Sequence, residues 1–222
     1  MSVLEISDLT YSYKDGGEVL KRVCSTMKSG KMYAILGHSG CGKSTLLSLM
    51  GGLDSPTSGQ ILVDGESLQE IGLNRYRREY VSFVFQEYNL IDYMNAVENV
   101  ALTAQHPPLP FLEELGLEGG ICQRNVTKLS GGQQQRVAIA RALASDAGII
   151  LADEPTGSLD QKTGNEITAL LKSLAHDSDK LVVVVTHSRA LAKAADEVLH
   201  LENGALQTAS AIEAKGKRMR RK

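Results

Sequence analysis

Cysteine is scarce in this chain. Cys24, Cys41 and Cys122 are the only three, an odd number without metal-like or redox-like spacing, which excludes a disulfide framework and suits a reducing cytosol. Long apolar runs are missing too. No stretch reaches the roughly 18 uninterrupted apolar residues of a membrane span. The start, MSVLEISDLTYSY, has neither the basic residues nor the apolar centre of a signal peptide, so no secretory route is expected. Charge of one sign is equally absent. Lys plus Arg total 24 against 26 Asp plus Glu, a formal charge of -2, so no basic field draws the chain to nucleic acid. There is no internal repeat and no long low-complexity segment.

What is present is the composition of a globular domain. The 222 residues are 42% hydrophobic and 23% charged, with 21 Gly and 5 Pro, enough to bury roughly 70% of the unfolded surface in one core with room for a smaller subdomain. One local exception breaks the charge balance. Lys215, Lys217, Arg218, Arg220, Arg221 and Lys222 crowd the last eight residues. Residues 209–222 are therefore expected to form a basic, disordered tail, either solvated or attracted to an anionic membrane surface.

Three apolar runs, KMYAIL before Gly37, IILA at 149–152 and LVVVV at 181–185, predict strands buried on both faces, because apolar residues continue where a half-exposed strand would alternate. Each precedes a turn and helix-compatible sequence, the rhythm of a parallel α/β sheet. Nearer the N-terminus, short β-like pieces meet at Asp15-Gly16-Gly17 and Asp64-Gly65, predicting an antiparallel sheet alongside. From about 87 to 145 the pattern turns helical and Ala/Leu-rich, broken by Pro107, Pro108 and Pro110. That segment is expected to be an inserted helical subdomain.

Residues 37–45, GHSGCGKST, match G-x-x-x-x-G-K-[ST] between an apolar strand and the helix-compatible TLLSLMGGL. Gly37, Gly40 and Gly42 let backbone N–H groups turn around phosphate oxygens at a helix N-terminus. Lys43 is placed to neutralise β and γ phosphates, and Ser44 to ligate Mg²⁺. The bare pattern arises by chance in roughly one or two such chains per hundred, so its context carries the argument. Asp153-Glu154-Pro155 follows the strand at 149–152. Asp153 at a parallel strand's carboxyl end can hold Mg²⁺, and Glu154 can act as general base; alone, the pair also fits a solvated acidic turn. LSGGQQQR at 129–136 predicts a helix capped by Ser130, with two glycines permitting close approach of an anion. Gln86 and His187 close the VSFVFQ and LVVVVTH runs. Either one, taken singly, fits a structural strand-end residue. Beside Lys43, the Cys41 thiol is expected to be reactive, with a tolerated loop filler as the alternative.

The order of these pieces, GHSGCGKST, Gln86, LSGGQQQR, IILADEP, SLD at 158–160 and His187, resembles the ATP-binding-cassette (ABC) ATPases over about residues 1–208. The resemblance implies a P-loop NTPase α/β core with a mainly parallel sheet and an N-terminal antiparallel β subdomain. It also implies ATP and Mg²⁺ as cofactors, with ATP held by His38, Ser39, Cys41 and Thr45 beside the glycines, Lys43 and Ser44, and with adenine stacked on Tyr13 rather than Tyr11. An ATP-dependent homodimer follows, in which Ser130, Gly131, Gly132 and Gln133 of one subunit close on the γ-phosphate held by Lys43 of the other. Gln86 would read Mg²⁺ and the attacking water, Asp160 would link the two sites, and His187 would clamp the γ-phosphate. The family implies a separately encoded membrane permease, a position on the cytoplasmic face of the cell membrane and no nucleic acid; the alternative is a non-transport ABC ATPase. GGLDSPTSGQILVDG, FVFQEYNLI, VENVAL and DEPTGSLD resemble the subgroup of macrolide efflux, lipoprotein release, antimicrobial-peptide export and cell-division signalling. Only 28 residues separate Val100 from Leu129, a helical subdomain shorter than the family's usual one, on the side where its members meet the membrane partner.

Overall fold

The computed structural model describes residues 2–14 and 16–208. Strand β1 (Val3–Ser12) pairs antiparallel with β2 (Glu18–Lys28). β3 (Met32–Leu36) opens a second sheet and leads into α1 (Lys43–Met50). The chain then returns to the first sheet with β4 (Ser58–Val63) and β5 (Glu66–Ser67), joined by the predicted turn at Asp64 and Gly65, both at positive φ. Two short helices, α2 (Leu68–Ile71) and α3 (Leu73–Glu79), lead to β6 (Val81–Val84). The helical stretch holds α4 (Ala96–Ala101), α5 (Pro108–Glu114) and α6 (Gly131–Leu143), with 3-10 turns at Gly119–Ile121 and Val126–Lys128. β7 (Ile149–Asp153), α7 (Gln161–Asp177), β8 (Leu181–Thr186), α8 (Arg189–Ala194), β9 (Glu197–Glu202) and β10 (Ala205–Thr208) complete the described chain.

The first sheet runs β2-β1-β4-β5 and the second β10-β9-β3-β8-β7-β6, with every neighbouring pair of the second parallel except β10-β9. This is the α/β architecture that the sequence predicts. β3, β7 and β8 are buried on both faces, and their side chains divide between two cores. Tyr33, Ile35, Leu151 and Val183 join one with the antiparallel sheet and α1, while Met32, Ile150, Val182 and Val184 join the other with α4 to α7. Alternation persists inside a continuous apolar run because each face has its own partner. α1 ends at Met50, short of the TLLSLMGGL stretch: a Cβ on Gly51 would lie 1.9 Å from the Phe83 ring, and Gly52 takes φ +63, a left-handed stop. Residues 209–222, expected as the basic tail, lie outside the described residues.

Candidate active site

The parallel strands β3, β8 and β7, neighbours in the sheet, bring three loops together at their carboxyl ends, where open α/β sheets place ligands. The first follows β3. Gly40 and Gly42 adopt φ +77 and +101, a region L side chains avoid, so the loop can wind tightly into α1. Lys43 is only 8% exposed although charged. Its Nζ donates to the carbonyls of Gly37 (3.0 Å) and His38 (3.1 Å). A nearly buried ammonium bonded to neutral carbonyls suits a polyanion, because charge-assisted bonds are the stronger ones.

The second loop follows β7. Asp153 is its last residue, and its carboxylate accepts a hydrogen bond from the Ser44 side chain. Burial holds the Asp153 carboxyl above its usual range; the Glu154 charge pushes the same way, whereas Ser44 and Lys43 oppose it. Glu154 takes φ +43, an uncommon conformation for a residue with a side chain. Its N–H donates to Val185 O and its carbonyl accepts from Gly157 N–H, both at 3.0 Å. That twist aims the Glu154 side chain at the third loop, after β8. Thr186, the last residue of β8, donates from Oγ1 to Glu154 Oε2 at 2.9 Å, and His187 just beyond it places Nδ1 2.8 Å from Oε1. The His187 side chain remains 70% exposed against 14% for Glu154.

These loops enclose a cavity of about 550 Å³ lined by Ser39, Gly40, Gly42, Lys43, Ser44 and Thr45, by Gln86, Asp153, Glu154 and His187, and by Tyr13 and Val19. Gln86 sits two residues beyond the end of β6, in a turn, not in the strand itself. Tyr13 is half exposed and its hydroxyl lies 2.9 Å from Thr45 Oγ1, whereas Tyr11 is buried and hydrogen-bonded to Asp54. Val19 and Thr186 were not foreseen; an apolar residue after a Gly turn and a Thr at a strand end carry no motif. Gly37 and His38 line a neighbouring cavity shared with His187. The expectation for Cys41 needs correction. Its side chain belongs to the core with Leu46 and Leu201, against Gly37, where a Cβ would approach Sγ to 2.5 Å. A packed thiol lacks the access that reactivity requires.

The remaining predicted residues lie elsewhere, and none lines that cavity. Ser130 caps α6 in a reciprocal box: Gln133 N–H donates to Ser130 Oγ (3.3 Å), and Ser130 N–H donates to Gln133 Oε1 (3.0 Å). Gly131 and Gly132 are needed for close packing, since a Cβ would approach Tyr88 Oη to 2.9 Å and Thr163 Cγ2 to 2.6 Å. Asp160 caps α7, accepting from Lys162 N–H, Thr163 N–H and Thr163 Oγ1, and the Thr163 bonds hold its carboxyl below its usual range. Further along α6, Arg141 donates to the carbonyls of Tyr88 and Asn89, tying that helix to the loop after Gln86.

Comparison with known proteins gives these loops a context. The sequence profile of the family described as "ABC transporter" matches residues 20–157. The chain is 43% identical over 215 residues to the uncharacterized ABC transporter ATP-binding protein YclH of Bacillus subtilis, covering 92% of this chain and 95% of that protein. It is 40% identical over 218 residues to the macrolide export ATP-binding/permease protein MacB of Vibrio parahaemolyticus, covering 91% of this chain but 33% of MacB. Among solved structures, the ATP-binding cassette MJ0796, dimeric in a post-hydrolysis state with ADP and Pi, superposes with a TM-score of 0.82 at 37% identity over 92% of this chain and 98% of that one.

Proposed function

The chain belongs to the ABC transporter family as an ATP-hydrolysing, ATP-binding subunit, and on that premise we propose that two copies close around ATP and drive a membrane permease. The observation that carries this reading is the convergence of Lys43, Ser44, Gln86, Asp153, Glu154 and His187 on one cavity. Loop N–H groups and Lys43 bind the β and γ phosphates, and Tyr13 at the rim stacks on adenine. The Ser44–Asp153 pair, with an oxygen of Gln86, is the hard-oxygen donor set a divalent cation takes. Ser44, Asp153 and Gln86 would hold Mg²⁺, which neutralises charge on the phosphate oxygens when bound.

Glu154 accepts the proton of the attacking water as the water oxygen bonds to the γ-phosphorus and the bond to the β-phosphate oxygen breaks, leaving ADP and phosphate. Both of its oxygens are engaged here, by Thr186 and His187. His187, largely exposed, swings from Oε1 to the γ-phosphate and frees that oxygen for water. Ser130 to Gln133 lie apart from the cavity of their own chain, so they serve a second copy, as the dimeric relative suggests.

The permease meets this chain at the groove between β6 and the helical stretch, about 560 Å³, where Phe83 and Phe85 stack 5.2 Å apart beside Arg77 and Arg141. Leu102 on the same groove is 52% exposed, an apolar residue suited to burial by a partner. Among the described residues no helix is long and apolar enough to cross a membrane. In this reading the partner supplies the membrane path and this chain works on the cytoplasmic face. We take residues 1–208 as one cassette, with the helical subdomain at about 87–145. Steady-state phosphate release with Mg-ATP tests the reading: turnover that requires Mg²⁺ is expected, and nucleotide binding without turnover would overturn it.

A further inference from the structure

Gln135 is fully buried, yet only half of its amide is satisfied. Nε2 donates to the Pro155 carbonyl at 2.8 Å, and Oε1 has no partner. A leucine or methionine of similar size would fill the same space without stranding an oxygen, and a buried unsatisfied carbonyl is unfavourable. Packing therefore does not account for this side chain. Its one hydrogen bond does something specific. Pro155 follows Glu154, the residue held at φ +43 between the Val185 carbonyl and the Gly157 N–H. Pro155 has no N–H, so its carbonyl is the one main-chain group of that residue that a neighbour can grip by a hydrogen bond.

Gln135 stands on α6, two residues beyond Gln133 and five beyond the Ser130 cap. The amide thus joins the helix whose first turn carries Ser130 to Gln133 with the turn that aims Glu154. A rotation of α6 moves the Pro155 carbonyl and, with it, the Glu154 backbone. We propose that Gln135 is a positioning residue, transmitting the attitude of α6 to the general base through the Pro155 carbonyl. This rests on the assignment of Glu154 as base. Gln135 does not line the cavity of Lys43 and Glu154, and its effect falls on turnover, not on nucleotide binding.

Two variants of the full chain separate this role from a structural one. Gln135→Leu removes the donor permanently, and kcat should fall about 10- to 100-fold, the cost of misplacing a reacting group by about 1 Å. The ATP dissociation constant should stay within about twofold, because the Lys43 loop is untouched. Gln135→Glu also lacks a donor when ionised, but its protonated form regains an O–H able to reach the Pro155 carbonyl. Its kcat relative to the parent should recover as pH falls, whereas that of the leucine variant should not change with pH. Parental kcat in Gln135→Leu, or a Gln135→Glu pH profile parallel to the parent, overturns the proposal. Should the leucine variant fail to fold, judged by its melting curve, the glutamate profile decides alone. Glu154→Gln, run beside them, isolates the premise: if it hydrolyses normally the base assignment fails, and if it is dead while Gln135→Leu is normal only the present inference fails.

Discussion

The Lys43 loop and the start of α6 are both glycine-rich segments leading into helices, yet the structure treats them differently. The Lys43 loop looks inward. Lys43 is 8% exposed, Asp153 is partly desolvated, and Tyr13, Val19, Gln86, Asp153, Glu154 and His187 line the same cavity from elsewhere in the chain. The start of α6 is self-contained: Ser130 and Gln133 satisfy each other, and neither lines the cavity of Asp153 and Glu154. On the proposed reading, the first segment is a site that a closing wall completes, and the second supplies that wall. Two copies are the simplest way to use both.

The sharpest way to break that contrast is to disable the chemistry on the Lys43 side alone. Glu154→Gln keeps Lys43, Ser44 and Asp153, so hydrolysis should drop at least about 10²-fold while ATP binding survives, as expected on losing a general base. Sizing chromatography should then show an ATP-dependent doubling of mass. On the other side, Ser130→Ala should cut turnover about tenfold or more, the scale of a lost hydrogen bond to a charged group. Binding of ATP by dilute, isolated chain should be unchanged. The same variant loses its cap and about 1 kcal/mol of helix stability, readable as a melting temperature lower by about 2–4 °C.

Smaller effects test the details of the Lys43 side. Tyr13→Ala should weaken nucleotide affinity about fivefold, in line with the roughly 1 kcal/mol of a base stack, and Tyr13→Phe should retain affinity although the contact with Thr45 is lost. Equal affinities for the alanine variant and the parent would remove adenine stacking. Asp153 supplies the smallest effect, and its sign is informative. A carboxyl raised in the folded state contributes stability below its unfolded range and loses it as pH rises through the raised value. Asp153→Asn should therefore raise the melting temperature of the nucleotide-free protein at neutral pH, with the gain vanishing in acid. No gain at neutral pH would mean that burial does not strain the ionised carboxylate.

Much of this was legible in the sequence because backbone-dictated features leave strong marks. The continuous apolar runs at 31–36, 149–152 and 181–185 announced strands buried on both faces, and the glycine spacing before Lys43 announced a loop wound around phosphate, in which Gly40 and Gly42 are left-handed. Capping is equally local, so Ser130 was readable from its neighbours. Side-chain direction was not. Cys41 sits among loop residues that face the cavity, but its own Sγ turns under Gly37 into the core. Gln135 left no separate signal either. It lies in a helical stretch of three consecutive glutamines, and only tertiary packing distinguishes the one that reaches Pro155. The left-handed Glu154 was hidden for the same reason: a non-glycine at positive φ has no compositional mark.

The central claim is that the catalytic site is shared between two copies of this chain, and the dependence of specific activity on protein concentration tests it most directly. If one copy supplies Lys43 and Glu154 and the other supplies Ser130 to Gln133, phosphate release per chain at saturating Mg-ATP should fall steeply over about a hundredfold dilution through the dimer dissociation range, by mass action. Addition of an inactive Lys43→Ala chain, which still offers its α6, should restore part of the lost rate. Constant activity per chain across that dilution, at a mass that remains monomeric, would contradict the shared site.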